Sequence, residues 1–458
     1  MESLKLPVWP EDLIGQIRAR VSEMNTKIIV LDDDPTGTQT VHDVPVYTDW
    51  TQETLRTLFH DSSALVYLLT NTRSMSEEAA KSVNQAIARG LKNVAKEDGR
   101  SFTLISRSDS TLRGHFPAEL DALAEVLGNE NLSYVLIPAF FEAGRETIGD
   151  VHFLHQDGTY IPVNELPFAK DAVFGFNEAN LKKWAEEKSR GRLTVQDMAS
   201  VDLATIRTGG PAAVLDKLLS ASAKLIIVNA STYRDLEVVS HACIEAEQRG
   251  KRYLYRTAAS FVVTRSGLQK RALLEPAEFN LGSDKGGLIV IGSHVPLSSQ
   301  QLDHLLQNTQ TTPLEVDVST LLGKDANDYL EQLAQALNDH IREGRTVAVF
   351  TSRELITDTS DAGNLSISRR VSQSLVSLVH KLGLRPKFFI AKGGITSSDI
   401  ATQGLKVKRA IVRGQILPGV PVWRLGQEAS FPDLDYVVFP GNVGNASSLT
   451  EVVEKLTH

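Results

Sequence analysis

A chain of 458 residues that is 42% apolar, 23% charged and 6% aromatic is ordinary globular protein, long enough at roughly 150 residues per domain for two or three cores. Lysine and arginine number 48 against 56 aspartates and glutamates; the resulting net charge of -8 excludes a nucleic-acid duplex as the default partner, since such binding needs basic patches. The single cysteine, Cys243, excludes an internal disulfide framework and a cysteine-rich zinc site, the 11 histidines are dispersed, and no apolar run is long enough to cross a membrane. The start of the chain, with Glu2, Lys5, Glu11 and Asp12, lacks the apolar core of a secretion signal, so a cytoplasmic enzyme is expected.

Short aliphatic runs alternate with longer amphipathic stretches, the rhythm of α/β architecture with parallel strands and crossover helices. The first series of strands falls at Lys27–Leu31, Ala64–Leu69, Phe102–Ser106, Tyr134–Pro138 and Leu225–Asn229. Between them, Ser76–Lys96 is the clearest helix, its acidic first turn suited to the positive end of a helix dipole. Glu142–Val163 breaks the rhythm with Gly144, Gly149, Gly158 and Pro162 and reads as an irregular excursion with a hairpin. Glu275–Gly287 has no apolar periodicity and marks a domain boundary, giving domains of residues 1–275 and 286–458. A second series follows at Gly287–Ile291, Pro313–Val318, Thr346–Thr351, Pro386–Ala391, Arg409–Val412 and Asp435–Phe439, with helices over Ala326–Glu343 and Ser366–Leu382. The expected fold is therefore α/β, with two domains of mainly parallel sheet.

The chemistry gathers where strands end. The strand through Leu31 runs into Asp32-Asp33-Asp34-Pro35-Thr36-Gly37, and three adjacent carboxylates repel one another unless a cation, a hydrogen-bond network or a proton compensates. The carboxyl ends of strands in an open α/β sheet face the ligand crevice, so these acids are placed at chemistry. Ser106-Arg107-Ser108-Asp109-Ser110-Thr111-Leu112-Arg113-Gly114 follows another strand and offers guanidiniums, a carboxylate and hydroxyls, the groups a polyhydroxylated anion requires. Asn71-Thr72-Arg73 and the loop Pro138–Thr147, with Gly144-Arg145, close two further strands, so four strand ends contribute to one edge.

In the second half Lys392-Gly393-Gly394-Ile395-Thr396-Ser397 leads from a strand into a helix. Glycines let backbone N–H groups approach an anion, and Thr396 or Ser397 is expected to cap the helix. No Walker spacing occurs here. Ile291-Gly292-Ser293-His294 and Pro440-Gly441-Asn442-Val443-Gly444-Asn445 are similar junctions, and three of them on one sheet suggest a nucleotide crevice. His42, His152 and His155 are not spaced as a metal site, His380 reads as helix surface, and Cys243 as core.

With these residues, nearly the whole chain resembles the four-carbon acid sugar kinase family, long labelled a domain of unknown function. Asp33-Asp34-Pro35-Thr36-Gly37 matches its first motif, Asp109-Ser110-Thr111-Leu112-Arg113-Gly114 its second, Pro138-Ala139-Phe140 with Gly144-Arg145 its third, and Gly393-Gly394-Ile395-Thr396 its nucleotide loop. The resemblance implies two Rossmann-like domains with the active site in the cleft between them, and ATP-dependent phosphorylation of the 4-hydroxyl of threonate, erythronate or a 3-oxo-tetronate. It implies a sugar-acid domain first and an ATP domain second, with ATP and Mg²⁺ required, no nucleic-acid or membrane partner, and a homodimer as an open option. Asp33, Asp34 and Asp109 are the candidate catalytic acids. Thr36, Asn71, Arg73, Arg107, Ser108, Asp109, Arg113 and Arg145 are candidates for the substrate, and Ser293, Gly393, Gly394, Ile395, Thr396, Ser397, Gly441, Asn442 and Gly444 for the nucleotide. The magnesium ligands stay unassigned. Three positions depart from the family pattern: Arg107 stands where many relatives have lysine, Ile395 where an acid is frequent, and Phe439-Pro440 where a basic residue is common. Two rival readings remain: a haloacid dehalogenase-like phosphatase using Asp32 and Asp34, and a non-catalytic sugar-acid sensor.

Overall fold

The computed structural model describes residues 2–281, 284–353 and 361–457. The chain divides into two compact units: Met1–Val41 with Asp49–Lys270, and His42–Thr48 with Arg271–His458. In chain order the strands up to residue 257 are β1 (Thr26–Asp32), β2 (Val44–Tyr47), β3 (Leu65–Leu69), β4 (Ser101–Arg107), β5 (Leu132–Ile137), β6 (Arg145–Ile148), β7 (Val151–Gln156), β8 (Thr159–Pro162), β9 (Met198–Val201), β10 (Leu225–Val228) and β11 (Arg252–Thr257). Those that follow are β12 (Leu288–Ile291), β13 (Thr312–Val316), β14 (Val347–Thr351), β15 (Phe389–Lys392), β16 (Arg409–Leu417), β17 (Val420–Leu425) and β18 (Asp435–Phe439).

The first unit holds an all-parallel sheet in the order β3-β1-β4-β11-β5-β10-β9. Ile28, Ile29 and Val30 are buried although consecutive residues point to opposite faces, as a sheet with both faces covered requires. The helix Glu77–Asp98 lies against Ala118–Leu127; Ser76 accepts from the Ala79 amide at its start, and Gly99, at φ 70°, ends it. Because β1 lies between β3 and β4, with Asp32 in register with Leu69 and Arg107, the ends of these three strands come out side by side. The expected excursion after Glu142 is an antiparallel meander, β6-β7-β8, whose turns at Gly149-Asp150 and Asp157-Gly158 all have positive φ, the geometry of tight hairpins.

The second unit holds β13-β14-β12-β15-β18 in parallel, followed by β17, β16 and β2 in antiparallel pairing. β12, β15 and β18 are neighbours, so the three glycine junctions emerge together. The sequence reading assigns residues 1–275 to one domain, but His42–Thr48 lies in the second unit, where Val46 pairs with Ala410 and Pro45 with Ile411. The main division falls between Lys270 and Arg271, because Arg271 already bonds to the Arg413 carbonyl at 3.0 Å and the Leu274 amide to that of Gln415 at 2.8 Å. Cys243 is buried and its thiol pushed up to about 12 by burial; His380 is exposed. Among the described residues no helix is long and apolar enough to cross a membrane.

If β2 is integral to the second unit, Val46→Asp inserts a charge into a strand position that is 1% exposed and costs at least about 3 kcal/mol. Calorimetric melting should show the transition of the second unit lowered. An unchanged transition would make β2 a passenger.

Candidate functional site

The edge of the first unit is organised by charge. Asp33 follows β1 at 3% exposure. Arg73, placed just after β3, donates from Nη2 to its Oδ1 at 2.5 Å and from Nε to its Oδ2 at 3.3 Å. Ser108, just after β4, donates to Oδ2 at 2.6 Å. Burial works to raise the Asp33 carboxyl, but Arg73, Arg256 and Arg107 together hold it below the ordinary value. Asp34 is more open, its side chain 18% exposed. Its Oδ1 accepts from the Thr36 amide at 2.8 Å and from the Thr36 hydroxyl, while Oδ2 has only a long contact of 3.4 Å with Arg73. Asp32 points elsewhere: 1% exposed, it meets Arg107 at 3.4 Å, and its Oδ2 has no partner among the described residues. Burial pushes its carboxyl up to about 8, Arg107 opposes, and Asp33 and Asp34 add to the rise.

The loop after β4 folds back on itself. Arg113 Nε donates to Asp109 Oδ2 at 2.6 Å, and the Thr111 hydroxyl and amide reach the same carboxylate. Burial acts to raise Asp109, but Arg73, Arg113 and these hydrogen bonds bring it well below the usual carboxylate range. His152 of β7 holds this loop: Nε2 donates to the Ser110 carbonyl at 2.8 Å, so Nδ1, at 2.9 Å, accepts from the Thr147 hydroxyl. Burial, with the imidazole fully enclosed, lowers it to about 4, which fits a neutral ring. Arg145 stands at the start of β6. It is 8% exposed and donates to the Ala143 carbonyl at 2.5 Å; Nε is unpartnered, and no carboxylate pairs with it among the described residues. Arg113 and Arg145 lie over the Phe168 ring at 5.1 and 5.9 Å.

In the second unit the junctions pack around Ser293 and Thr396. A Cβ at Gly441 would lie 2.8 Å from Ser293 Oγ, one at Gly292 2.3 Å from Thr396 Oγ1, and Gly393 has φ 113°, so backbone alone fits. The Gly393 amide donates to the Phe439 carbonyl at 2.8 Å, and Ser298 Oγ donates to Gly441 at 3.0 Å. Gln301 donates to the Val443 and Asn445 carbonyls, which fixes the Gly444 turn. Arg353, after β14, donates to the Ser293 carbonyl at 2.7 Å and keeps a buried Nη1 that has no partner among the described residues.

Of the sequence candidates for the acid, Thr36, Arg73, Ser108, Asp109, Arg113 and the three aspartates gather with Arg107 at one edge, and Asn71, left-handed at φ 54°, starts the turn that carries Arg73. Among the nucleotide candidates, neither Thr396 nor Ser397 caps the helix: Gly393 holds the cap position without a side chain, and Ser397 Oγ is spent on the Ala391 carbonyl at 2.8 Å. Gly394 opens that helix, Ile395 is 60% exposed, and Asn442 is also exposed. Sequence reasoning missed Arg256, which joins Ser106 at 2.8 Å and Glu119 at 2.6 Å beneath the acids, and Arg353; it gave His152 and Lys392, the latter quoted at the head of the glycine junction, no role of their own. The enclosed, protonation-prone Asp32 lacks the access that a phosphatase nucleophile needs. Among the described residues no set of three His, Cys, Asp or Glu side chains is arranged for a metal ion.

Comparison with known proteins finds two family models matched in turn along the chain. Residues 28–265 match the model of a sugar-binding N-terminal domain, and residues 288–449 that of a nucleotide-binding C-terminal domain. The chain is 24% identical over 413 residues to a D-erythronate kinase of Heliobacterium modesticaldum, covering 86% of this chain and 87% of that one. It is 26% identical over 356 residues to a D-threonate kinase of Cupriavidus necator, covering 74% and 76%. A Haemophilus influenzae protein of solved structure shares the fold with a TM-score of 0.64 at 20% identity, over 94% of this chain and 99% of that one.

The Asp33–Arg73 pair yields a pH-dependent prediction. With Asp33 held below 3.8 in the folded protein, its contribution is complete above that value and is lost only as pH falls through the folded one. Arg73→Met leaves the buried carboxylate short of its main countercharge and should cost about 3–5 kcal/mol at pH 7. The deficit should shrink at pH 5, where the carboxyl takes up a proton. Urea unfolding of both proteins at the two pH values measures this; a deficit equal at both would show that Asp33 does not carry it.

Proposed function

Because the chain belongs to the four-carbon acid sugar kinase family, we propose that it transfers the γ-phosphoryl group of ATP to the terminal hydroxyl of a four-carbon sugar acid such as erythronate, threonate or a 3-oxo-tetronate. The observation that carries this reading is the charge pattern of the first unit's edge. Asp33 and Asp34 occupy Arg73, and Asp109 and Asp171 occupy Arg113, whereas Arg145 has no carboxylate among the described residues. A substrate carboxylate would fill that vacancy in charge, with Ser108 and Thr36 offering hydrogen bonds to hydroxyls.

Phosphoryl transfer asks a protein for positioning and charge neutralisation. The glycine junctions with Ser293, Thr396 and Arg353 suit the phosphates of a nucleotide, and the magnesium ion would enter on those phosphates as part of the substrate. Asp34 is the acid placed to meet the acceptor hydroxyl, since it is the most open of the run and one of its oxygens is weakly engaged. As the oxygen–phosphorus bond forms and the bond to ADP breaks, the hydroxyl proton passes to Asp34; Asp33 keeps Arg73 in place beside it. The kinase names of the relatives favour this reading over a sensor.

A panel of four-carbon sugar acids, with Mg²⁺ and ATP and with ADP release as the readout, should identify at least one substrate. Hydrolysis of small phosphate esters without ATP, and no turnover of any acid with it, would support the phosphatase instead. Asp34→Asn should lower kcat by about 100-fold or more with little change in either KM. A near-normal kcat at saturating magnesium would transfer the role to Asp33 or Asp109.

A further inference from the structure

Lys392 ends β15, in register with Ile291 of β12 and Phe439 of β18, immediately before Gly393. Its side chain is wholly buried. Nζ donates to the Pro440 carbonyl at 3.0 Å and lies 4.1 Å from the centre of the Phe439 ring; no carboxylate pairs with it among the described residues. A buried ammonium held by one carbonyl and one ring face is under-compensated, since three N–H groups require acceptors and the charge requires an anion. The carbonyl that it does hold belongs to the residue before Gly441, so the lysine connects the β15 and β18 junctions from below.

We propose that Lys392 is a positioning residue: its ammonium braces the Pro440–Gly441 turn, and nucleotide phosphates on the glycine junctions draw a proton from solvent onto it. This rests on the reading that the second unit binds a nucleotide. The free protein holds the proton weakly, because burial lowers this lysine to about 7. A polyanion nearby stabilises the charged form, and linkage then requires that binding be accompanied by proton uptake. The other titratable or charged groups on neighbouring elements include His294 after β12, Arg353 after β14, Asp399 at the end of the helix after Gly393, and Asp435 and Tyr436 on β18, where Asp435 is taken by Arg424 and the Asn280 amide. None of them bonds to the ammonium: His294 pairs with Thr351, Arg353 with Ser293 and Ser299, Asp399 with Ser372 and Gln403, and Tyr436 with the Ser397 carbonyl.

The sign follows directly. Above pH 7 the free lysine is increasingly neutral, so each nucleotide bound must bring in more of a proton, and affinity falls by up to about tenfold per pH unit until the bound value is reached. Calorimetric titration of the full chain with Mg-ADP at pH 8, in buffers of different ionisation enthalpy, reads the proton count. The wild type should take up close to one proton. Lys392→Met should bind more weakly and take up none, whereas Lys392→Arg, with a fixed charge, should bind without uptake and with a flat pH profile. Nucleotide binding by the wild type without proton uptake would overturn this inference and leave the nucleotide reading standing, and uptake that persists in Lys392→Met would overturn it too. Absence of Mg-ADP binding altogether would remove both.

Discussion

Carboxylates withdrawn from water at the end of β1 set the terms for the first unit. Asp32 and Asp33 are almost wholly enclosed, and a buried carboxylate left unpaired costs several kcal/mol, so guanidiniums must reach it from neighbouring strands. The strand order answers this. With β3 on one side of β1 and β4 on the other, Arg73 and Arg107 arrive from the two flanks, while Arg256 of β11 lies beneath and is itself balanced by Glu119. The crowding also fixes two glycines. A Cβ at Gly37 would fall about 2.0 Å from the Asp32 carboxylate, and one at Gly114, where φ is 122°, 2.7 Å from both Arg256 and Ser108. These glycines of the two acid-bearing motifs are thus required by packing against charge, before any ligand is considered.

Once internal pairing is complete, buried cations remain without a carboxylate partner among the described residues: Lys27, held by two backbone carbonyls, and Arg145 and Lys392, each held by one. Burial depresses Arg145 and Lys392, the guanidinium and the ammonium alike. A structural ion pair would have supplied its own anion. Under the proposed function, the negative charges missing at Arg145 and Lys392 come with the ligands, a sugar-acid carboxylate on one unit and phosphates on the other.

The strands with uninterrupted aliphatic runs were legible in the sequence because they are buried on both faces, as in Lys27–Leu31 and Thr346–Thr351. β11 was not, because Arg252 and Arg256 break the apolar run, and the burial of Arg256 depends on Glu119 more than 130 residues away. β2 was missed because four residues containing Pro45 carry little pattern, and nothing local tells that they pair with β16. The acids and arginines of the site were readable as a set. Their individual states were not, since consecutive residues face opposite ways: Asp32 turns to Arg107 and is pushed up, whereas Asp33 turns to Arg73 and is held down. Lys392 resembles any charged residue until the third dimension encloses it.

Under the proposed function, Arg145 is the charge left for the substrate's carboxylate. Calorimetric binding of a four-carbon sugar acid, compared with the tetritol that carries a hydroxymethyl group in place of the carboxylate, tests it in the wild type and in Arg145→Gln. The wild type should prefer the acid by about 10-fold or more, the range of a charged hydrogen bond, and the variant should bind the two alike. An undiminished preference for the acid in Arg145→Gln would place the substrate's carboxylate on another group.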